Sequence, residues 1–335
     1  MTIKDLARES GYSVGTVSRV LNGHPNVSEQ ARRAVMAVVE ARGFELNINA
    51  KNLKQTRSNS ILVVVKGRGN ELFSDMVEQL QAFFDSTAYQ LIIDYIDELD
   101  SEVHRAAALC RERKPLGILF LGGSEQNFRE EFSRIGVPSV LITGDAGSLD
   151  FPNLSSVTTD DRRGAACAME YLIQCGHRNI VILGGQRGLS DISRDRFQGC
   201  LEAFEKNGLC FEEAQYHTCR FSFRSGYDAM GEALKKDRSF TAVFAMSDVM
   251  AIGAIRAIRE SGLRVPEDIS VIGYDGLSIG DFLLPKLTTI TQATAELART
   301  GAKILLQCIE EDHPACHVNV PFALSCKESV AQAAT

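Results

Sequence analysis

Residues 11–22 read Gly11-Tyr12-Ser13-Val14-Gly15-Thr16-Val17-Ser18-Arg19-Val20-Leu21-Asn22. Ser13 is a good helix N-cap, because its hydroxyl can accept from a free backbone N–H of the first turn. Val17, Val20 and Leu21 then recur at helical spacing and form one apolar face. Upstream, Thr2-x-x-Asp5 opens a short helix in capping-box fashion, which runs to about Ser10 and stops at Gly11. Downstream, Gly23 and Pro25 close the second helix, and Ser28 caps a third that runs to about Arg42 before Gly43. Three short helices with a tight turn between the first two are the layout of a helix-turn-helix.

In that motif the second helix lies in the major groove with its N-terminal residues at base edges. Its outward positions here are Val14, Gly15, Ser18, Arg19 and Asn22. Arg19 can donate two parallel hydrogen bonds to guanine O6 and N7, worth about 1–3 kcal/mol of discrimination. Ser13, Thr16, Ser18 and Asn22 are short donors suited to phosphates, which set register rather than sequence. Gly15 has no side chain, so readout beside it falls to Val14 against a thymine methyl, or to Arg19 and DNA shape. The helices alone leave two readings open: this DNA interface, or a three-helix cap with Arg19 in solvent.

The charge distribution bears on that choice. The 335 residues are 44% hydrophobic and 24% charged, with no Trp, which is a globular composition and excludes collagen-like, disordered and disulfide-scaffold chains. The net charge of −7 conceals an asymmetry: nine Lys/Arg against five Asp/Glu give residues 1–59 a charge of +4, leaving −11 for the remainder. A basic head on an acidic body points to a polyanion at one end. The N-terminus shows no signal peptide, and no run of 18 apolar residues occurs, so a cytoplasmic chain without membrane contact is expected. Nine scattered cysteines without a C-x-x-C pair fit reduced thiols packed as small hydrophobes. Zinc held by Cys316, His313 and His317 lacks an evident fourth ligand, so neither a metal nor a cofactor is expected.

In residues 60–335, apolar runs alternate with helix-length amphipathic segments. Strands are expected at 61–65, 91–95, 117–121, 139–142, 179–183, 242–245 and 269–274. Helices are expected near 73–87, 101–113, 126–135, 162–175, 193–207, 224–236 and 248–261. That alternation means parallel sheets covered by helices on both faces, and the length calls for two doubly wound lobes. Ligands in such folds bind beyond the carboxyl ends of strands, which makes the cleft between lobes the default site. Gly184-Gly185-Gln186-Arg187-Gly188 has the wrong spacing for a dinucleotide loop and reads as a tight turn. With no P-loop, no G-x-S-x-G and no nucleophile–base set, an enzyme is not expected.

The run at 11–22 resembles the A-x-x-A-G-V-S-x-x-T-V-S-R-V-L-N head of the lactose-repressor (LacI/GalR) family. The resemblance continues through Val27-Ser28, Gly43-Phe44 and Asn47-x-x-Ala50-Lys51-x-Leu53. It extends over the body in Asp160, Gly164, Gly176-His177-Arg178, Arg196-x-x-Gly199, Ser247-Asp248-x-x-Ala251-x-Gly253 and Gly273-Tyr274-Asp275. Departures are Tyr12 for Val, Leu46 for Pro, Lys51 for Arg and Cys200 for Phe.

The resemblance implies an all-α helix-turn-helix head (1–46), a hinge helix and linker (47–59), and a type I periplasmic-binding-protein-like α/β core. The core lobes would be 60–159 plus about 290–320, and 160–289 plus about 321–335. It implies a ligand-responsive transcription regulator, most simply a homodimeric repressor on a pseudo-palindromic DNA operator, with a sugar or sugar derivative bound between the lobes. The rival reading is a sugar-binding protein of the periplasmic type without DNA function, which would not need residues 1–59. The DNA-facing set would be Thr2, Ser13, Val14, Gly15, Thr16, Ser18, Arg19, Asn22 and Asn26 from the head, with Asn47, Ala50 and Leu53 from the hinge. A hinge Leu from each of two subunits wedges into the minor groove in this family, a role that would fall to Leu53. The effector set would be Asn70, Phe73, Thr143, Arg196, Phe221, Ser247 and Asp275. Arg196 would donate a charge-assisted fork and Asp275 would accept from sugar hydroxyls, with a structural ion pair as the alternative for both. Phe221 would stack on a sugar ring or pack in the core. With no heptad tail after the last strand region, dimers rather than coiled-coil tetramers are expected.

Overall fold

Ser13 and Ser28 sit where the chain turns into its second and third helices, and both act as caps. The computed structural model describes residues 3–21, 27–42 and 59–333. It forms two units, 1–58 and 59–335, and each is taken by itself. In the first, α1 (Ile3–Ser10), α2 (Val14–Leu21) and α3 (Glu29–Arg42) pack around Leu6, Val17, Val20 and Val35. The Ser13 hydroxyl accepts from the Thr16 N–H at 3.2 Å, and that of Ser28 from the Ala31 N–H at 3.3 Å. Each satisfies one of the donors a helix start leaves free.

The second unit contains two six-stranded sheets. The first lobe has the order β11-β5-β4-β3-β1-β2, all parallel. Its strands are β1 (Ser60–Lys66), β2 (Gln90–Ile96), β3 (Gly117–Leu121), β4 (Ser139–Ile142), β5 (Leu154–Thr158) and β11 (His317–Asn319). Its helices are α4 (Glu71–Phe84), α5 (Glu102–Arg113), α6 (Glu125–Glu131) and α11 (Thr294–Glu310). The second lobe has the order β12-β10-β9-β8-β6-β7, parallel except for the antiparallel pair β10–β12. Its strands are β6 (Ile180–Gly184), β7 (Tyr216–Thr218), β8 (Ala242–Ala245), β9 (Ser270–Asp275), β10 (Thr288–Gln292) and β12 (Phe322–Ser325). Its helices are α7 (Asp161–Gln174), α8 (Asp191–Lys206), α9 (Phe223–Lys236) and α10 (Asp248–Glu260).

Five strands, β5, β7, β10, β11 and β12, stand outside the expected set. β5, β10 and the short β7 are polar in sequence, yet Ser155, Ser156, Thr158, Thr288 and Thr289 are buried inside sheets. Their hydroxyls bind the connecting segments: Ser155 Oγ accepts from the Cys316 N–H at 3.1 Å, and Thr288 Oγ1 from the Lys327 N–H at 2.9 Å. Apolar runs identify strands that pack on helices, and miss strands whose side chains fasten crossovers. Helix α11 is also new, although Leu297, Ala298, Ile304 and Leu305 form the apolar stripe that buries it on the first lobe. Because β10 belongs to the second sheet, the chain returns to the first lobe after Gln292, slightly later than 290.

Helices α7 and α8 approach so closely at Gly199 that a Cβ there would overlap the Arg162 carbonyl oxygen. A backbone oxygen cannot swing aside as a side chain does. Gly199→Ala is therefore expected to destabilise the core by about 1–3 kcal/mol, read as a lower urea midpoint at unchanged slope. An unchanged midpoint would show that the two helices can separate at no cost.

Candidate functional site

On the head, Val17 and Val20 point into the helical core while Val14, Gly15 and Arg19 are exposed, Val14 at 45%. Ser18 and Thr16 lie at the edge of the same face. Ser13 spends its hydroxyl as the cap and meets Thr16 Oγ1 at 3.0 Å, so these two short side chains form one polar corner at the helix start. The result is an eight-residue helix presenting its N-terminal turn and one arginine outward. Helix N-termini and arginine are both suited to a phosphate-flanked groove. Thr2, Asn22, Asn26, Asn47, Ala50 and Leu53 lie outside the described residues.

In the core, the carboxyl ends of strands from both lobes face one another, and the space between them is the expected cleft. From the first lobe come Lys66, Gly122 and Thr143 at the ends of β1, β3 and β4; from the second, Gly185, Ser247 and Asp275 at the ends of β6, β8 and β9. The lobes touch where the Glu125 N–H donates to Asp191 Oδ2 at 2.5 Å and where Arg194 approaches Glu125 at 3.7 Å.

Arg196 is 3% exposed and organises the second lobe's side. Its Nε donates to Asp161 Oδ1 at 2.7 Å, its Nη1 donates to the Met246 carbonyl, and its guanidinium stacks 3.6 Å from the centre of the Tyr274 ring. Its Nη2 stands 3.7 Å from Asp275 Oδ1, beyond a direct hydrogen bond. The expected ligand-binding arginine is thus internally paired through two of its nitrogens, because a buried guanidinium without an acceptor would be far too costly. Asp275, held at φ +120°, accepts from Gln292 Nε2 at 2.9 Å. Asp248 accepts from Thr289 Oγ1 at 2.6 Å and from the Leu277 N–H at 2.7 Å. One cation therefore answers three buried carboxylates. Burial above all, then Asp275, pushes the Asp248 carboxyl up to about 8. Burial raises Asp275 to about 7 against the opposing pull of Arg196 and Gln292.

Several other expected effector residues carry structural duties. Asn70 caps α4 by accepting from the Leu72 N–H at 3.1 Å, Ser247 caps α10 by accepting from the Met250 N–H at 3.3 Å, and Phe73 is buried in the first lobe's core. Phe221 is half-buried, with its ring edge 3.1 Å from where a Cβ on Gly185 would sit. Thr143 is buried at φ +72°. Its Oγ1, like Thr159 Oγ1 and Ser193 Oγ, has no hydrogen-bond partner. Ser193, Thr159, Asp161 and Asp248 were not singled out from sequence. Asp248 stood inside a quoted motif, whereas lone hydroxyls give no pattern to find. The loop 184–188 leads into α8, whose first turns carry Asp191 and Asp195, a poor seat for a pyrophosphate.

Residues 2–47 match the family described as bacterial regulatory proteins, lacI family, and residues 169–330 match the periplasmic binding protein-like domain. The chain is 33% identical over 321 residues to the HTH-type transcriptional regulator MalR of Clostridium butyricum, covering 95% of this chain and 96% of that protein. It belongs to the lacI family of bacterial regulatory proteins. Among solved structures it is similar to the transcriptional regulator CelR in complex with cellobiose, at TM-score 0.72 and 28% identity over 98% of this chain and 99% of that one. The Lac repressor dimer bound to operator superposes at TM-score 0.78 with 25% identity, over 99% of both chains. The chain is thus a DNA-binding transcription regulator whose core is periplasmic-binding-protein-like. Among the described residues no helix is long and apolar enough to cross a membrane.

The surplus of buried acid sets a pH dependence. A folded carboxyl that holds its proton above its unfolded value contributes stability at low pH, lost as pH rises through the raised value. Above about pH 7, His177 and His217, both lowered first by burial, are largely neutral and do not oppose this trend. Between pH 7 and 8 the core is expected to lose up to about 1.4 kcal/mol of stability per pH unit, the loss tailing off above the Asp248 value of about 8. Asp248→Asn should flatten the slope in urea titrations at those pH values; an equally steep slope in the variant would remove Asp248 from the titrating cluster.

Proposed function

We propose that the chain is a cytoplasmic repressor that binds a pseudo-palindromic operator as a homodimer and releases or engages it in response to an uncharged polyhydroxyl effector, a sugar or sugar derivative. The observation that carries the effector class is the polarity of the cleft. Its unmatched buried groups, on Thr143, Thr159, Ser193 and Tyr274, are hydroxyls, while Lys66 and Arg196 are taken. Lys66 is bound to Glu102 at 2.5 Å, Arg196 to Asp161, and Arg194 to Asp191 at 2.6 Å. A sugar phosphate or uronate would bring a negative charge to a site where part-buried Lys66 and buried Arg196 are already paired, at high desolvation cost. A neutral sugar would supply hydroxyls to the orphaned groups and bridge Arg196 Nη2 to Asp275. Arg196, Asp275, Thr143 and Phe221 keep their proposed effector contacts; Asn70, Ser247 and Phe73 support the site through caps and packing.

Homodimerisation is supported by a groove of about 1090 Å³ on α9, α10 and the segment 282–284, where Phe223, Tyr227, Ile252 and Ile255 stand among the charged Arg224, Arg256, Arg259 and Glu260. Phe282 and Leu284 in its lining are 88% and 76% exposed, an apolar pair suited to burial against a second copy. The proposed division is a head at 1–46, a hinge at 47–59 with Leu53 as its minor-groove wedge, and the two lobes. No catalytic step is assigned to the chain.

Arg19→Ala is expected to reduce discrimination between operator and a guanine-substituted operator by about 10- to 100-fold, following the 1–3 kcal/mol of a bidentate contact. Fluorescence anisotropy on duplexes measures this, and unchanged discrimination would displace Arg19 from base readout. A thermal-shift panel pairing neutral sugars with their phosphates and uronates addresses the cleft. Stabilisation is expected from neutral members, and a shift produced by the anionic member of a pair alone would overturn the assignment.

A further inference from the structure

We propose that Arg220 is a clasp across the mouth of the cleft, a positioning residue that holds the lobes closed and keeps Phe221 over the effector; this rests on the cleft being the effector site. Arg220 lies on the second lobe, in the loop between β7 and α9. Its Nη2 donates to Asp97 Oδ1 at 2.9 Å and its Nε donates to Glu98 Oε1, both on the turn that follows β2 in the first lobe. Of the ion pairs described, this and Arg194–Glu125 join the ends of strands that belong to different sheets.

Both halves of the clasp are shaped before they meet. Asp97 Oδ1 accepts from the Leu99 N–H at 3.1 Å, and the Asp97 N–H donates to Asp100 Oδ2 at 3.3 Å, which fixes the acidic turn. On the other side the Arg220 N–H donates to Ser225 Oγ at 2.9 Å, and Ser222 caps α9. Closing therefore orders little chain, which lowers its entropic cost. Phe221 follows Arg220 directly, so the guanidinium that reaches the first lobe also sets where the ring stands against Gly185. All three charged side chains are at least 30% exposed. Exposed pairs are weak and screened by salt, properties suited to a closure that must reverse.

The consequence is that closure responds to ionic strength even when the effector carries no charge. The backbone N–H of Glu125 reports closure directly, because its acceptor is Asp191 of the opposite lobe. Hydrogen exchange followed by mass spectrometry on the full chain, without DNA or sugar, reads the peptide containing that amide. Arg220→Glu is expected to raise its exchange several-fold at low salt while leaving the β6 peptide 180–184 unchanged. Adding Asp97→Lys and Glu98→Lys to Arg220→Glu should restore slow exchange. Arg220→Gln, which removes the charge without reversing it, should show a smaller rise and a shallower salt dependence than the parent. Equal exchange of the Glu125 peptide in the parent and in Arg220→Gln at low salt would overturn the clasp, as would failure of the charge-swapped triple variant to restore protection. Since neither readout contains a ligand, a wrong effector class leaves this result unaffected, and a broken clasp leaves the effector class standing.

Discussion

A single buried guanidinium holds the second lobe's side of the cleft together. Arg196 projects from α8 and joins the start of α7 through Asp161, the end of β8 through the Met246 carbonyl, and the end of β9 by stacking on Tyr274. These elements come from separate βα units, and no backbone ladder links all of them. Removing the arginine would leave Asp161 and Asp275 buried without a counter-charge, a change that generally costs several kcal/mol. The same group is therefore scaffold first. What remains for recognition is the Nη2 edge facing Asp275, at a separation that one interposed hydroxyl can span.

The strands that connect the lobes are polar for a related reason. Asp248, one of the acids left over once Arg196 is shared, is held by Thr289 of β10, and Gly273 on β9 leaves it the room. β10 ends in Gln292, which donates to Asp275, and the chain then leaves for the first lobe. The acid cluster is thus hydrogen-bonded to the strand that leads into the crossover between the lobes. Any ligand that changes the charge balance around Asp275 acts on groups bonded to the segment about which the lobes would move. Exposed ion pairs at the rim oppose opening only weakly, so a ligand needs only modest differential affinity to shift the balance.

Much of this architecture is legible in the residues. The caps Ser13 and Ser28 mark their helices, and the apolar runs mark the strands that pack on helices. What sequence does not display is how a polar residue is spent. Asn70 and Ser247 look like ligand contacts, and each also caps a helix; Phe73 looks like an aromatic wall, and it also packs in the core. The distinction depends on which donor lies about 3 Å away, a quantity fixed by tertiary packing. The unpartnered hydroxyls of Thr143, Thr159 and Ser193 are visible only once every neighbour has been placed.

The charge asymmetry of the chain follows from the same logic. Basic residues concentrated in 1–59 suit a phosphate surface, whereas the acidic remainder resists unspecific adhesion to the duplex. Inside that acidic core the cations are engaged one by one: Arg196 by Asp161, Lys66 by Glu102, Arg194 by Asp191, Arg220 by Asp97. Among the described residues, a core assembled in this way keeps buried Arg196 and part-buried Lys66 engaged. The excess of carboxylates that keeps the body off DNA is thus also what biases its binding site toward neutral ligands.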